Sequence, residues 1–139
     1  MMHARRLLQF GRYCVVGVLN TLVTFGVIYI CKSLLGWNLY VCNVLGYVAG
    51  LVNSFLLNKS WTFRSHGRMY REAVRFLAGF GLCYLLQLWV VWMLTSSPFG
   101  AFDYRVCGIV LSGYGIATII GNVVYTLSNY VFNKLVTFR

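Results

Sequence analysis

A chain of 139 residues that is 60% hydrophobic and only 10% charged lacks the polar surface to wrap a water-soluble core, since soluble domains carry about 25% charged residues. Lys and Arg number 12 against two acids, for a formal net charge of +10, and mean hydropathy is +0.73. One proline and no low-complexity tract exclude a linker-rich or disordered chain.

The elements in chain order are those of a membrane protein. The opening MMHARRLLQFGRY is basic, and an apolar run over residues 13–35 follows. That run is longer than the ~7–15 residues of a signal-peptide core and ends without a small-x-small site, so it reads as a first span. Further apolar runs cover residues 39–57, 74–94 and 106–132. Each is near or beyond the ~20 residues that cross a bilayer as a helix. The fourth is long enough to tilt. The expected fold is an all-α membrane protein with four transmembrane helices. It forms one domain over residues 1–139.

Charge placement predicts orientation. Arg5, Arg6 and Arg12 precede span one. Lys59, Arg64, Arg68, Arg71 and Arg75 separate spans two and three, and Lys134 and Arg139 follow span four. Only Lys32 and Arg105 fall on the other side. Cytoplasmic loops are the ones enriched in Lys and Arg, so both termini and the central loop are expected in the cytoplasm. The +10 charge is then an inside bias with affinity for anionic membrane lipids. It is not a nucleic-acid footprint, since no soluble module accompanies it.

The chain also repeats itself. Residues 55–64 read FLLNKSWTFR and residues 131–139 read VFNKLVTFR. Shifted by 75, residues 43–64 fall on 118–139 with seven of 22 positions identical: Gly46/Gly121, Val48/Val123, Asn58/Asn133, Lys59/Lys134, Thr62/Thr137, Phe63/Phe138 and Arg64/Arg139. Arg12-Tyr13 before span one matches Arg75-Phe76 before span three. The expectation is a duplicated helical hairpin, with repeat one at about 8–64 and repeat two at about 72–139. Both copies start and end inside, so they are parallel repeats.

These residues carry a resemblance. Arg12-Tyr13-Cys14-Val15-Val16-Gly17 with Leu19-Asn20-Thr21, then Asn53 and Asn58-Lys59 with Trp61-Thr62-Phe63, resemble the GtrA-like family of small four-span membrane proteins. The likeness covers roughly residues 8–139. It implies a part in cell-surface polysaccharide synthesis, moving a polyprenyl-phosphate-linked monosaccharide across the cytoplasmic membrane beside a membrane glycosyltransferase.

Such a substrate needs a polar path for its head and open access to lipid for its tail. Uncharged polar residues recur along the spans: Asn20, Thr21 and Thr24 in the first, Asn43, Asn53 and Asn58 in the second, Gln87 in the third, and Thr118, Asn122, Tyr125, Ser128, Asn129 and Asn133 in the fourth. Polar side chains at such depth face a bundle interior or a wet cavity. Packing explains them too, since Asn and Thr join helices at about 0.6–2 kcal/mol per contact and small-xxx-small patterns such as Gly46/Gly50 and Gly108/Ser112 let helices approach. The basic residues Arg12, Lys59, Arg64, Arg75, Lys134 and Arg139 also have two readings. They either anchor helix ends at the interface or clamp a lipid phosphate there.

Catalytic chemistry finds no support. Glu72 and Asp103, the only two acids, fall on opposite sides of the membrane. Glu72, flanked by Arg68 and Arg75, reads as a surface helix pair. Asp103 and Arg105 read as a solvated loop pair. The five cysteines show no metal or redox spacing, with a disulfide among Cys31, Cys42 and Cys107 left open. No cofactor, metal or nucleotide loop is expected. Two other functions stay open: a scaffold that recruits a glycosyltransferase through the basic 64–75 loop, and a small drug exporter. The second is disfavoured by the absence of a carboxylate inside the expected spans and by the strong charge bias. Four spans enclose little volume, so a homo-oligomer is expected.

Overall fold

The computed structural model describes residues 2–98, 103–106 and 109–139. Four long helices carry the fold. Helix α1 runs Met2–Tyr29 and widens into a π-helical turn at Ile30–Leu34. Helix α2 runs Leu39–Leu57 and ends in a second π turn at Asn58–Thr62. Helix α3 covers Met69–Ser96. Helix α4 covers Gly113–Phe132 and ends in a π turn at Asn133–Thr137.

All four are long and apolar enough to cross a bilayer, over Leu7–Leu34, Leu39–Thr62, Met69–Ser96 and Gly113–Thr137. Most of their surface looks outward. Val18, Leu22, Phe25, Leu82 and Leu85 are each about 60% exposed. Such faces suit lipid, which is as apolar as they are. The chain is a multi-pass membrane protein.

The chain divides into two compact units. The first runs through Arg68 and takes in Phe138. The second runs Met69–Thr137 with Arg139. In the first, α1 packs on α2, with Thr24 and Ile28 of α1 against Gly46 and Gly50 of α2 and Tyr13 edge-on to Phe63 at 6.4 Å. A β-carbon on Gly46 would stand 2.9 Å from the Thr24 carbonyl oxygen, so the backbones approach where only glycine fits. Phe138 stacks on Phe63 at 5.1 Å in the same unit.

In the second unit α3 packs on α4. Glu72, Phe76, Gly79 and Cys83 form the buried stripe of α3, and Ala117, Gly121 and Asn129 that of α4. Glu72 is therefore no surface residue. It is only 3% exposed, because it shares a helix face with Phe76 and Gly79. Its place in the first turn of α3 is where a helix dipole favours an acid. Helix α3 also starts at Met69, five residues before the expected span, and brings Glu72 inside the helix.

The connections at the far ends differ. Four residues join the π turn at Ile30–Leu34 to α2. Gly36 sits there at φ +67, and Trp37 N–H donates to the Cys31 carbonyl at 3.0 Å, six residues back. That is a Schellman-type helix stop. Asn38 then caps α2 by accepting from the Tyr40 N–H at 2.8 Å. The second connection contains a ribbon. Strand β1 (Asp103–Val106) pairs antiparallel with β2 (Ile109–Ser112), with Asp103 opposite Ser112. The fourth span accordingly begins later than residue 106. Asp-Tyr-Arg-Val alternates polar and apolar residues as a strand does, and Ser112 caps α4 by accepting from the Gly115 N–H at 3.1 Å. Ser112 thus belongs to no helical small-xxx-small pair, and Gly108 lies outside the described residues.

Candidate functional site

Each hairpin has its own candidate region, at the end of α2 in the first and of α4 in the second. In a π turn each N–H reaches five residues back, which widens the helix and often occurs at functional sites. Phe63 N–H donates to the Asn58 carbonyl at 2.8 Å, which closes the first of these turns. Helix ends leave carbonyls unpaired, and an arginine takes one in each hairpin. Arg12 Nη1 donates to the Trp61 carbonyl at 3.4 Å, with its guanidinium 5.7 Å from the Trp61 ring centre. Arg75 Nη1 donates to the Val136 carbonyl at 3.2 Å. Trp61 and Val136 are 75 residues apart, the offset of the sequence repeat.

The two lysines of the motif are held differently. Lys59 Nζ donates to the Gly67 carbonyl at 2.7 Å and ties down the chain that follows α2. Lys134 Nζ lies 3.4 Å from the Tyr130 hydroxyl and 5.4 Å from the centre of its ring. Arg64 and Arg139 are exposed. Arg64 has φ +50, the sole positive φ of a non-glycine among the described residues. Ser65 N–H donates to the Lys59 carbonyl at 2.8 Å, six residues back. Arg64 therefore occupies the left-handed stop position that Gly36 fills at the end of α1.

Deeper in each hairpin lie the uncharged amides. In the first, Asn53 Nδ2 donates to Asn20 Oδ1 at 2.8 Å and joins the two helices. Thr24 packs its hydroxyl against Gly50. Asn58 Nδ2 donates to Ser54 Oγ at 3.3 Å. Asn43 stands apart: its Nδ2 donates to the Leu39 carbonyl of its own helix at 2.9 Å, near the opposite end of α2.

In the second hairpin Gln87 Nε2 donates to Asn122 Oδ1 at 2.8 Å, again across two helices. Asn133 Nδ2 donates to Asn129 Oδ1 at 3.3 Å, and Asn129 Nδ2 to the Tyr125 hydroxyl at 3.4 Å. Tyr125, Asn129 and Asn133 thus form a ladder along one face of α4. From Asn122 to Asn133 the helix rises about 16 Å, half the hydrocarbon thickness. Thr118 and Ser128 bond carbonyls of their own helix and do not join it.

Sequence reasoning passed over two residues. Thr62 and Thr137 are 4% and 0% exposed, and neither hydroxyl has a hydrogen-bond partner. The Oδ1 atoms of Asn58 and Asn133 are also buried without one. Among the described residues these are the only four such side-chain atoms. They occupy the same two positions of the motif in both hairpins. Buried polar groups are nearly always paired, so four exceptions at matched positions mark the turn as special. The signal was in the sequence, in the identity of Thr62 with Thr137.

The other candidates fall away from this region. Asp103 and Arg105 are exposed on β1. Cys31 and Cys42 are buried free thiols, and Cys42 Sγ donates to the Trp37 carbonyl at 3.6 Å. Cys107 lies outside the described residues. Among the described residues no three metal-ligating side chains come together.

A profile of the GtrA/DPMS transmembrane domain matches residues 12–138. The chain belongs to that family. The match runs from the capping Arg12 to the stacked Phe138 and takes in most of both units. Among its relatives, the cell wall teichoic acid glycosylation protein GtcA of Listeria innocua is 26% identical over 132 residues, covering 91% of this chain and 82% of that protein. The uncharacterized membrane protein YngA of Bacillus subtilis is 30% identical, covering 92% and 78%. A prophage bactoprenol-linked glucose translocase homolog of Escherichia coli is 29% identical over 114 residues, covering 76% and 91%.

Proposed function

We propose that this chain moves a polyprenyl-phosphate-linked monosaccharide across the cytoplasmic membrane, for glycosylation of a cell-surface polysaccharide. The observation that carries the reading is the joining, in each hairpin, of a basic helix end to uncharged amides deeper in the span. A phosphate is met by guanidinium and ammonium groups at headgroup depth. A sugar is met by side chains that both donate and accept, as Asn and Gln do. The helix ends that carry Arg12, Lys59, Arg64, Arg75, Lys134 and Arg139 serve the phosphate. The amides of Asn20, Asn53, Asn58, Gln87, Asn122, Asn129 and Asn133, with Thr24, serve the sugar. The name of the Escherichia relative points to a lipid-linked sugar, and that of the Listeria relative to glycosylation of a cell wall polymer.

The charge bias supports a cytoplasmic location for both termini and the basic ends. The recurrence of the Arg-to-carbonyl bond and of the unpaired Asn and Thr atoms supports a duplicated hairpin with parallel repeats. The protein is a transporter rather than an enzyme, and works as a homo-oligomer beside a membrane glycosyltransferase that makes its substrate. Arg68 is exposed in the loop that follows α2, and offers that enzyme a basic contact. The test is reconstitution into liposomes with a polyprenyl-phosphate sugar that an external enzyme traps on arrival. Wild-type protein accelerates trapping. If trapping stays at the protein-free rate, with and without the glycosyltransferase, the reading is wrong.

A further inference from the structure

Five of the six cations at the helix ends divide by what already holds them. Arg12 and Arg75 cap carbonyls of the π turns. Lys59 is bound to the Gly67 carbonyl and Lys134 rests on Tyr130. Arg64 is exposed and, among the described residues, makes no hydrogen bond or ion pair, yet its backbone is in the left-handed region at φ +50. A β-carbon is disfavoured there, and glycine is the residue that helix stops of this kind select. The chain itself follows that rule at Gly36, φ +67, in the other Schellman-type stop, which closes α1. At Arg64 it does not, although the fold gains nothing visible from the side chain. A residue that keeps an unfavourable backbone and a free cationic head points to a ligand for that head.

We infer that Arg64 is retained for its guanidinium, which contacts the phosphate of a lipid headgroup, while Arg12 and Arg75 are positioning residues that hold the turns. The contact rests on the proposed transport reading for its location at headgroup depth. Its chemistry stands on its own: a planar guanidinium binds two phosphate oxygens at once.

The experiment compares wild type, Arg64→Gly, Arg64→Lys and Arg12→Ala, each purified in detergent. Each is titrated with micelles of undecaprenyl phosphate and, separately, of phosphatidylglycerol, and each is melted. Arg64→Gly relieves the backbone and removes the charge. It is expected to bind phosphate lipid about tenfold more weakly while melting about 2–5 °C higher. Arg64→Lys keeps a point charge and retains part of the binding. Arg12→Ala lowers the melting temperature. Weakened binding confined to undecaprenyl phosphate identifies the carrier lipid as the source of the phosphate. Equal weakening with phosphatidylglycerol identifies the bulk headgroup, and the Arg64 contact stands in both cases. Unchanged binding of Arg64→Gly to both lipids overturns the inference, as does a lowered melting temperature, which would make Arg64 part of the fold. Wild-type protein that binds undecaprenyl phosphate but does not move its sugar conjugate removes the transport reading and leaves the Arg64 assignment intact.

Discussion

The two helical hairpins agree at their basic ends and differ in their middles. At the ends the agreement reaches single atoms: an arginine on one turn carbonyl, and the same Asn and Thr left with unpaired buried oxygens. In the middle, Gly50 of the first hairpin stands where the second has Tyr125. Gly50 admits the Thr24 hydroxyl and lets α1 and α2 close. Tyr125 instead extends the Asn133–Asn129 ladder by one step. The first hairpin stops that ladder at Ser54 and spends its amides on a single bridge, Asn53 to Asn20. Shared ends with different middles separate what both copies need, a basic turn at the interface, from what one copy does at depth.

The sharpest way to break the comparison is to crowd the one glycine that both hairpins keep. A β-carbon on Gly46 would meet Ile28 Cγ1 at 2.6 Å and the Thr24 carbonyl oxygen at 2.9 Å. On Gly121 it would meet Val91 Cγ2 at 2.6 Å and Gln87 Cγ at 3.2 Å, both on side chains that can turn away. Gly46→Val is expected to destabilise by about 3 kcal/mol and Gly121→Val by about 1 kcal/mol, in line with overpacking at helix contacts. Yield of folded, monodisperse protein and melting temperature read the difference. Equal losses would mean that α3 and α4 approach as closely as α1 and α2.

Next in size is the asymmetry of the ladder. Asn129→Leu removes the middle rung of the second hairpin, and Ser54→Ala the matching group of the first. Translocation is expected to fall about tenfold for Asn129→Leu, the loss of roughly one hydrogen bond to a sugar in a dry site, and to stay within about twofold for Ser54→Ala. Equal losses would mean that Ser54 and Asn129 serve the path alike. The caps come third. Arg12 is half-buried with a Trp61 ring beside it, whereas Arg75 is exposed. Arg12→Ala should destabilise by about 1–1.5 kcal/mol and Arg75→Ala by about 0.5 kcal/mol, read from melting curves in detergent.

Much of this was legible in the residues, for reasons that differ by element. Four spans follow from apolar length alone, because a bilayer imposes it. Helix ends did not follow. Helix α3 starts at Met69 because helix formation ignores the hydrophobic boundary, and the glutamate expected at its surface lies on its buried face with Phe76 and Gly79. The fourth apolar run is longer than its helix because Val106, Ile109 and Val110 are as apolar as a span, while their pairing in a ribbon is a tertiary fact. Gln87 with Asn122, and Asn20 with Asn53, were marked as polar positions but not as pairs, since sequence spacing carries no information across helices. Nor was the left-handed backbone of Arg64 visible, because only glycine announces that conformation in a sequence.

The smallest expected effect tests the feature the hairpins share most closely. Thr62 and Thr137 bury hydroxyls with no partner. A buried hydroxyl without a hydrogen bond carries an uncompensated desolvation cost of about 1–3 kcal/mol. Valine keeps the shape and removes that cost, so Thr62→Val and Thr137→Val should each raise stability by up to about 1 kcal/mol. Thr118→Val is the control, because the Thr118 hydroxyl donates to the Tyr114 carbonyl at 2.8 Å and its loss should lower stability slightly. If both turn variants instead destabilise, each hydroxyl has a partner that the chain does not supply, a bound water or a lipid oxygen. If only one does, the two turns are alike in geometry and unlike in what they hold. The basic ends would then differ as the middles do, and the shared motif would be an anchor in one hairpin and a binding group in the other.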